Sequence, residues 1–171
     1  ETVNIYTGLI AAHTVLKAQA AVVTMGPGIA GTGTKYGWSG LDQGPIIDAV
    51  TTLGGRPLFI PRLSFADPRP RHRGLSHHSL TVLGEIAQTK AQLILPRLDD
   101  EEHQLIQAQL KEHRLHQKHH IITVSDREQV LANIRHFKID LTSMGRTLAQ
   151  DPAFFLAAGS AGYYCAQLLA P

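Results

Sequence analysis

The stretch from Asp67 to Ser79, DPRPRHRGLSHHS, concentrates the side chains best suited to chemistry, and we call it the basic loop. From Pro68 onward its twelve residues include three arginines, three histidines and two serines, with no acid after Asp67. Arginine forks match the oxygens of phosphates and carboxylates in paired geometry. Histidine titrates near neutral pH and can serve as a general acid, a general base or a metal ligand. We therefore expect the basic loop to bind an anion.

The expected roles in the basic loop divide by residue type. Arg69, Arg71 and Arg73 should hold the anion or neutralise charge that develops on it. The candidates for proton transfer are the other ionisable groups, Asp67, His72, His77 and His78. Nearby arginine charge should depress the histidine pKa values and keep the rings neutral. Ser76 is expected to contact the ligand, and nothing in the sequence places a base against it.

A metal site is the less favoured interpretation of the same histidines, and the sequence assigns no metal ligands. His77 and His78 are adjacent, so on a regular helix their side chains diverge by about 100°. They could share a metal with His72, and with Asp67 or Asp42, only if the loop folds back on itself. A structural role also remains open, in which the arginines pair with acids and the histidines act as caps.

A second candidate feature is the glycine segment, residues 26–40, which precedes the basic loop. Glycine lets backbone N–H groups approach a ligand closely, and Lys35 adds a positive charge. The expected ligand-binding positions here are Gly26, Gly28, Gly31, Thr32, Gly33, Thr34 and Lys35. The segment is not a Walker A loop, because no GK[ST] closes it. It matches G-x-G-x-x-G only in outline, since Pro27 removes a donor and the next helix begins too late. A purely structural loop is the alternative.

Strands and helices must alternate to position these loops. Apolar runs favour strands at residues 20–25, 57–61, 91–96 and 120–124, and spacing and caps favour helices near 45–54, 76–88, 99–118 and 126–137. This order predicts an α/β fold with a mostly parallel sheet, helices on both faces and a Rossmann-like three-layer arrangement. The carboxyl ends of the strands would share one edge, where the glycine segment and the basic loop should face each other across a crevice.

Composition and charge limit the function classes. Sixteen Lys+Arg against fourteen Asp+Glu give a formal charge of +2, too balanced for a dedicated nucleic-acid binder, so we expect no nucleic-acid partner. Cys165 is the one cysteine, which excludes an internal disulfide framework and fits a reducing cytoplasm. We expect an α/β domain over residues 1–138, with a C-terminal helical extension over residues 139–171 packed on it.

The last segment of the sequence is the one candidate for insertion into a membrane. Residues 153–170 carry no charge and approach the length that spans a bilayer. Their Ala, Gly and Ser content, without flanking Lys or Arg anchors, favours a small-residue helix that packs closely on its own domain or across a homodimer. We therefore expect no membrane partner.

Three longer stretches carry a family resemblance: MGPGIAGTGTKYGWSG, IPRLSFADPRPRHRGLSHHS and TSMGRTLAQDPAFFLAAGSAG. Together they resemble a bacterial domain-of-unknown-function family, family 3866, over nearly the whole chain and least near residues 99–120. The resemblance implies a cytoplasmic bacterial protein of which this chain is the C-terminal portion, so that its own upstream region would be a partner. It brings no activity, cofactor or catalytic residue, and the cofactor stays open.

These observations predict binding of a small anionic, phosphorylated metabolite at the strand edge, with histidine-assisted acid–base catalysis as its enzymatic form. The alternative is a non-catalytic module that senses a ligand in the same crevice. Nucleic-acid binding through the arginines is a third hypothesis, which predicts steep salt dependence. The scarcity of aromatic residues near the arginines argues against it, because single strands are recognised by stacking.

Overall fold

The computed structural model describes residues 2–26 and 28–170, so the donor removed by Pro27 lies outside the described residues. The helices of the described part are α1 (Ile5–Thr14), α2 (Gln43–Thr52), α3 (His77–Thr81), α4 (Asp100–Glu112), α5 (Leu115–Lys118), α6 (Arg127–His136) and α7 (Pro152–Leu169). The strands are β1 (Leu58–Phe59), β2 (Leu63–Ser64), β3 (Gly74–Leu75), β4 (Gln92–Pro96), β5 (His120–Val124), β6 (Thr142–Ser143) and β7 (Arg146–Thr147). A three-stranded sheet has the order β1-β4-β5, and two hairpins pair β2 with β3 and β6 with β7.

The three-stranded sheet is parallel throughout, and β4 is its central strand. Side chains of a strand alternate between the two faces of a sheet. Leu93 and Leu95 accordingly join an apolar core with residues of α4 and α5, whereas Ile94 packs with residues of α6 and α7. The expectation of an α/β structure with a parallel sheet is confirmed. With three strands, the structure does not establish the Rossmann-like three-layer arrangement.

Several predicted helix boundaries are confirmed because the capping residues act as expected. Ser76 Oγ accepts a hydrogen bond from the N–H of the second residue of α3 at 3.2 Å. Asp99 and Asp126 each accept a bond from the backbone N–H three residues on, at 3.1 and 3.3 Å. Gly54 follows α2 with φ +76°, a conformation that glycine adopts without strain.

Two predicted helices are shorter than expected. The helix predicted over residues 76–88 is divided into α3 and a π-helical turn, Val82–Ile86. The helix predicted over residues 99–118 is divided into α4 and α5, because Arg114 adopts a left-handed conformation with φ +54°. A left-handed residue interrupts the backbone bonds of an α-helix.

The strand predicted at residues 20–25 is wrong. The described structure assigns no strand there, and the side chains are largely exposed, with Val22 at 86%. An apolar run becomes a buried strand only when a neighbouring strand satisfies its backbone and other elements cover its faces. Neither condition is met among the described residues, and the glycine segment therefore does not leave a strand of the sheet.

The C-terminal helix α7 packs against β4 and α6. Ala153, Ala157 and Ala161 are buried along it. A Cβ added at Gly159 would stand 2.8 Å from side-chain atoms of α6, so the small residue allows the two helices to approach closely. Among the helices of residues 2–26 and 28–170, none has the length and apolar character needed to cross a bilayer.

Gln109 on α4 holds the β2–β3 hairpin from which the basic loop extends. Its Oε1 accepts from the Leu75 N–H at 2.8 Å, and its Nε2 donates to the Arg73 carbonyl at 3.0 Å. Gly74 lies between these two residues with φ +70°, and an added Cβ would stand 2.5 Å from Gln109 Oε1. Glycine at this position therefore allows the amide of Gln109 to reach the hairpin backbone.

We expect Gly74→Ala to lower the free energy of unfolding by about 2–4 kcal/mol. Left-handed backbone costs an L-residue about 1–2 kcal/mol, and each displaced hydrogen bond adds roughly 1 kcal/mol. Gly145→Ala is the matched control, because Gly145 has φ +75° with nothing within 4 Å of the added carbon. Urea unfolding of both variants isolates the contribution of Gln109. An equal loss of unfolding free energy in Gly74→Ala and Gly145→Ala would show that the contribution of Gln109 is negligible.

Candidate functional site

Three histidine rings meet at the beginning of α3. His77 and His78 are its first two residues, and a short 3₁₀ turn, Pro70–His72, brings His72 back beside them. The ring centroids lie 4.1 Å apart for His77 and His78, and 5.0 and 5.3 Å from that of His72. One ligand nitrogen from each ring lies within 4.8 Å of the other two. We call these three residues the histidine cluster.

The basic loop folds back because the chain just before it pairs with a strand inside it. Leu63 and Ser64 of β2 lie antiparallel to Leu75 and Gly74 of β3, which closes the loop at its base. A site shared by the three histidines required the loop to fold back on itself, and the loop does so. In a parallel sheet, the loop after β1 and the start of the next helix lie at the carboxyl edge of the strands, where ligands of such sheets bind.

His72 is the most buried member of the cluster, at 2% exposure. Its Nδ1 lies 2.7 Å from Ser76 Oγ, and Arg71 Nε donates to its Nε2 at 3.4 Å. Nε2 therefore carries the lone pair and Nδ1 carries the hydrogen, which it donates to Ser76. The buried Ser76 both caps α3 and fixes the orientation of the His72 ring.

His78 is covered by Trp38, a residue of the glycine segment. The two rings stack with centroids 4.2 Å apart and an interplanar angle of 28°. The indole N–H donates to the Lys35 carbonyl at 2.9 Å, which holds the tryptophan in place. His78 Nδ1 is buried and has no hydrogen-bond partner among the described residues.

The environment lowers the pKa of all three rings. Burial, and then the charge of Arg62, lowers the pKa of His72 to about 4. Burial and the neighbouring His77 lower the pKa of His78 to about 4. Burial, followed by the charge of Arg71, also lowers the pKa of His77. The direction agrees with the sequence expectation, although burial contributes more than the arginines do. The cluster is therefore neutral at pH 7.

Asp67 lies beneath the basic loop as a buried carboxylate shared by three arginines. Its Oδ2 lies 3.0 Å from Arg62 Nη2, 2.9 Å from Arg69 Nη2 and 3.5 Å from Arg146 Nη2. Arg69 also donates from Nε and from its backbone N–H to Oδ1. The hydrogen bonds from Arg69 hold the pKa of Asp67 far below its usual range. No bond joins Asp67 to the histidine cluster in the described part, so Asp67 anchors the loop.

A second buried acid extends this network to the C-terminal part of the chain. Asp151 Oδ2 accepts from Ser64 Oγ at 2.6 Å and from Arg146 Nε at 3.0 Å. Ser64 Oγ in turn accepts from the Asp67 N–H at 3.1 Å. The basic loop, the β6–β7 hairpin and the start of α7 are therefore joined through buried polar contacts.

The three arginines predicted to clamp an anion do not converge. Arg69 is engaged by Asp67. Arg73 lines an open cleft of about 650 Å³ beside the start of α4, together with the acids Asp99, Glu101 and Glu102. Arg71 alone of the three lies against the histidine cluster.

The glycine segment is closed on itself. The Thr32 N–H donates to the Gly37 carbonyl at 2.7 Å, and Gly31 forms a bridge with Trp38. Lys35 is paired with Glu85 at 2.8 Å. The predicted ligand-binding positions of the segment are exposed: Gly26, Gly28, Gly31, Thr32, Gly33, Thr34 and Lys35. It is Trp38 that joins the segment to the cluster, so the two loops do meet, but without the expected backbone cradle.

Sequence reasoning missed the part that Trp38, Arg62 and Arg146 play. Trp38 is the single tryptophan and follows a glycine, which was the available signal. Arg146 and Asp151 lie in the connector before the last helix, and nothing in the sequence pairs them with a loop some 80 residues earlier.

Comparison with known proteins identifies the family. Residues 1–162 match the family model described as Protein of unknown function (DUF3866). The chain belongs to this family. No curated protein and no solved structure matches the chain. The resemblance of the three sequence stretches is confirmed, and the site must be interpreted from its geometry.

We expect Asp67→Asn to destabilise the protein by about 3 kcal/mol at pH 7, the lower end of the range for a buried ion pair, because it leaves three partly exposed arginines without their counter-charge. The exposed Asp140→Asn serves as control. A depressed native pKa stabilises the fold above the unfolded value near 3.9, and this stabilisation is lost as the pH falls below it. The difference in the free energy of unfolding between wild type and Asp67→Asn, measured with urea, should therefore become smaller from pH 7 to pH 3. A gap that stays constant would contradict the ion-pair role.

We expect the His72 and His78 rings to remain neutral down to about pH 4 in nitrogen-detected NMR titrations. Unfolded histidines take up protons near pH 6.5, so the unfolded state binds more protons below that value. The contribution of these two neutral rings to the free energy of unfolding should therefore be fully present above pH 6.5 and decrease as the pH drops from 6.5 toward 4. Protonation of either ring near 6.5 in the folded protein would show that burial does not control the cluster.

Proposed function

We propose that the protein binds a small anionic ligand, of the phosphorylated-metabolite class, beside the histidine cluster, with Arg71 as the principal cationic contact. One observation carries this proposal. Arg71 is an exposed guanidinium that makes no ion pair with any acid of residues 2–26 and 28–170, yet its Nε approaches His72 Nε2 at 3.4 Å. A phosphate could bind the guanidinium fork without breaking an existing ion pair.

The charges around Arg71 support an anion at this position. Arg62, Arg69 and Arg146 share Asp67 and, through Arg146, Asp151, so three positive charges meet two negative ones before Arg71 is added. The local potential is therefore positive beside uncharged imidazoles. An anion here gains attraction without facing an exposed carboxylate of the basic loop.

A neutral imidazole beside a bound anion can also accept a proton from it or from a water molecule next to it. The lone pair of His72 Nε2 lies next to Arg71, so the atom that would receive the proton and the group that would hold the anion are adjacent. This supports acid–base catalysis as the enzymatic form of the function. In the alternative, a sensing module, the ligand binds at the same groups and no turnover follows.

Thermal unfolding with inorganic phosphate and a panel of phosphorylated and carboxylated metabolites tests the proposal. A ligand at a hundredfold over its Kd adds about 2.7 kcal/mol, which raises the midpoint by roughly 5–10 °C for a chain of this size. Arg71→Gln should weaken the binding of phosphate by about tenfold or more, because a hydrogen bond to a charged group contributes roughly 1.5–3 kcal/mol.

Arg56→Gln is the matched control, because Arg56 is an exposed arginine that precedes β1, whereas the basic loop follows that strand. It should leave the phosphate shift unchanged. A shift that is equal in both variants would refute the role of Arg71. The lack of any shift across the panel in the wild type would overturn the anion proposal itself.

A further inference from the structure

The histidine cluster differs from the other buried histidine of the described part. His119 is also buried, but its Nδ1 accepts from the Ala91 N–H at 3.1 Å and its Nε2 lies 2.8 Å from the Leu83 carbonyl. Both of its ring nitrogens are therefore satisfied by backbone, as expected for a structural histidine. In the cluster, His78 Nδ1 is buried without a partner among the described residues. Such an atom is costly unless a ligand meets it.

Three ligand nitrogens, one from each ring of the cluster, lie within 4.8 Å of one another. Three imidazole nitrogens with a fourth position left open form the ligand set of several catalytic zinc sites. Imidazole suits Zn²⁺, Cu²⁺, Ni²⁺ and related ions far better than Mg²⁺ or Ca²⁺. From this geometry we propose that His72, His77 and His78 bind one divalent first-row transition metal ion, with Zn²⁺ as the best match.

The surroundings of His72 fit a ligand held in one orientation. Its Nδ1–H donates to Ser76 Oγ, which leaves the lone pair of Nε2 for the ion. Metal-binding histidines commonly donate their second nitrogen in this way, and the outer partner fixes both ring orientation and tautomer. Arg71 donates to this Nε2 at 3.4 Å, so metal binding would require its exposed side chain to turn away, where it could contact a ligand of the metal instead.

The positive charge of the nearby arginines opposes a cation at the cluster, but pairing with an acid and exposure to solvent reduce this opposition. Arg62 and Arg69 are neutralised in part by the buried Asp67, at 3.0 and 2.9 Å. The charge of Arg71 is exposed to solvent, which screens it. An ion at the cluster and the guanidinium of Arg71 would together favour an anion in the open coordination position.

This site goes beyond the proposed anion binding and stands without it. Where both are present, the three histidines would hold the metal through their lone pairs and could no longer accept a proton, and the metal would instead supply an acidified water. Metal dependence of any turnover would therefore separate the two forms of catalysis.

The test uses the full chain, treated with a chelator and then titrated with Zn²⁺ by calorimetry and with Co²⁺ by visible absorption. We expect one ion per chain and a Co²⁺ spectrum of the intensity typical of four or five ligands. His77→Gln should weaken Zn²⁺ binding at least about 100-fold, since outer-shell partners alone contribute roughly 10–100-fold. His77 is half-buried, so this variant should stay folded, as circular dichroism will check.

His136→Gln removes an exposed histidine of α6 and should bind Zn²⁺ like the wild type. No stoichiometric binding by the wild type, or equal binding by the folded His77→Gln variant, would overturn the metal site. Phosphate titrations of the chelator-treated protein separate the two proposals. If phosphate binds in an Arg71-dependent way and the protein takes up no metal, the metal site alone is overturned. If the protein takes up metal and does not bind phosphate, the metal site is supported and the anion proposal is overturned.

Discussion

The buried carboxylate of Asp67 is the interaction on which the arrangement of the basic loop depends. A single charge in the interior would be costly, but here three guanidinium groups surround it, and Arg62 and Arg69 supply the hydrogen bonds that water would give. The arginines in turn come from before the loop, from within it and from the β6–β7 hairpin. By holding these three elements together, Asp67 fixes the base from which the 3₁₀ turn carries His72 to α3.

The packing around the histidine cluster determines the protonation state of its rings. The rings of His72 and His78 are neutral mainly because they are removed from water, and Trp38 contributes to that removal by stacking on His78. Neutral imidazoles keep their lone pairs, which suits them to receive protons or to bind a metal. A cluster exposed to solvent would have neither the depressed pKa values nor the fixed ring orientations.

Local signals predicted much of this structure. The caps at Ser76, Asp99 and Asp126 and the strands near 91–96 and 120–124 rest on neighbouring residues, and they appear as expected. The run at residues 20–25 failed because an apolar stretch indicates burial only when the rest of the chain provides a partner and a cover. The basic loop was recognised from its composition, but which arginine is free and which is paired depends on residues far along the chain. Asp67 is a predicted proton-transfer group because it is ionisable and begins the basic loop, whereas in the structure Arg62, Arg69 and the distant Arg146 hold it as a charged anchor.

The bond from Ser64 to Asp151 joins positions 87 residues apart. It makes the connector before α7 part of the scaffold of the basic loop, although the chain between them passes through two strands of the sheet and the helices α3–α6. Asp67, Arg146 and Asp151 are therefore energetically coupled. A change of charge at any one of them makes the present residues at the other two less favourable. Among members of the family, substitutions at these three positions should arise together, and a chimera that takes the loop from one relative and the last third of the chain from another would inherit a mismatched set.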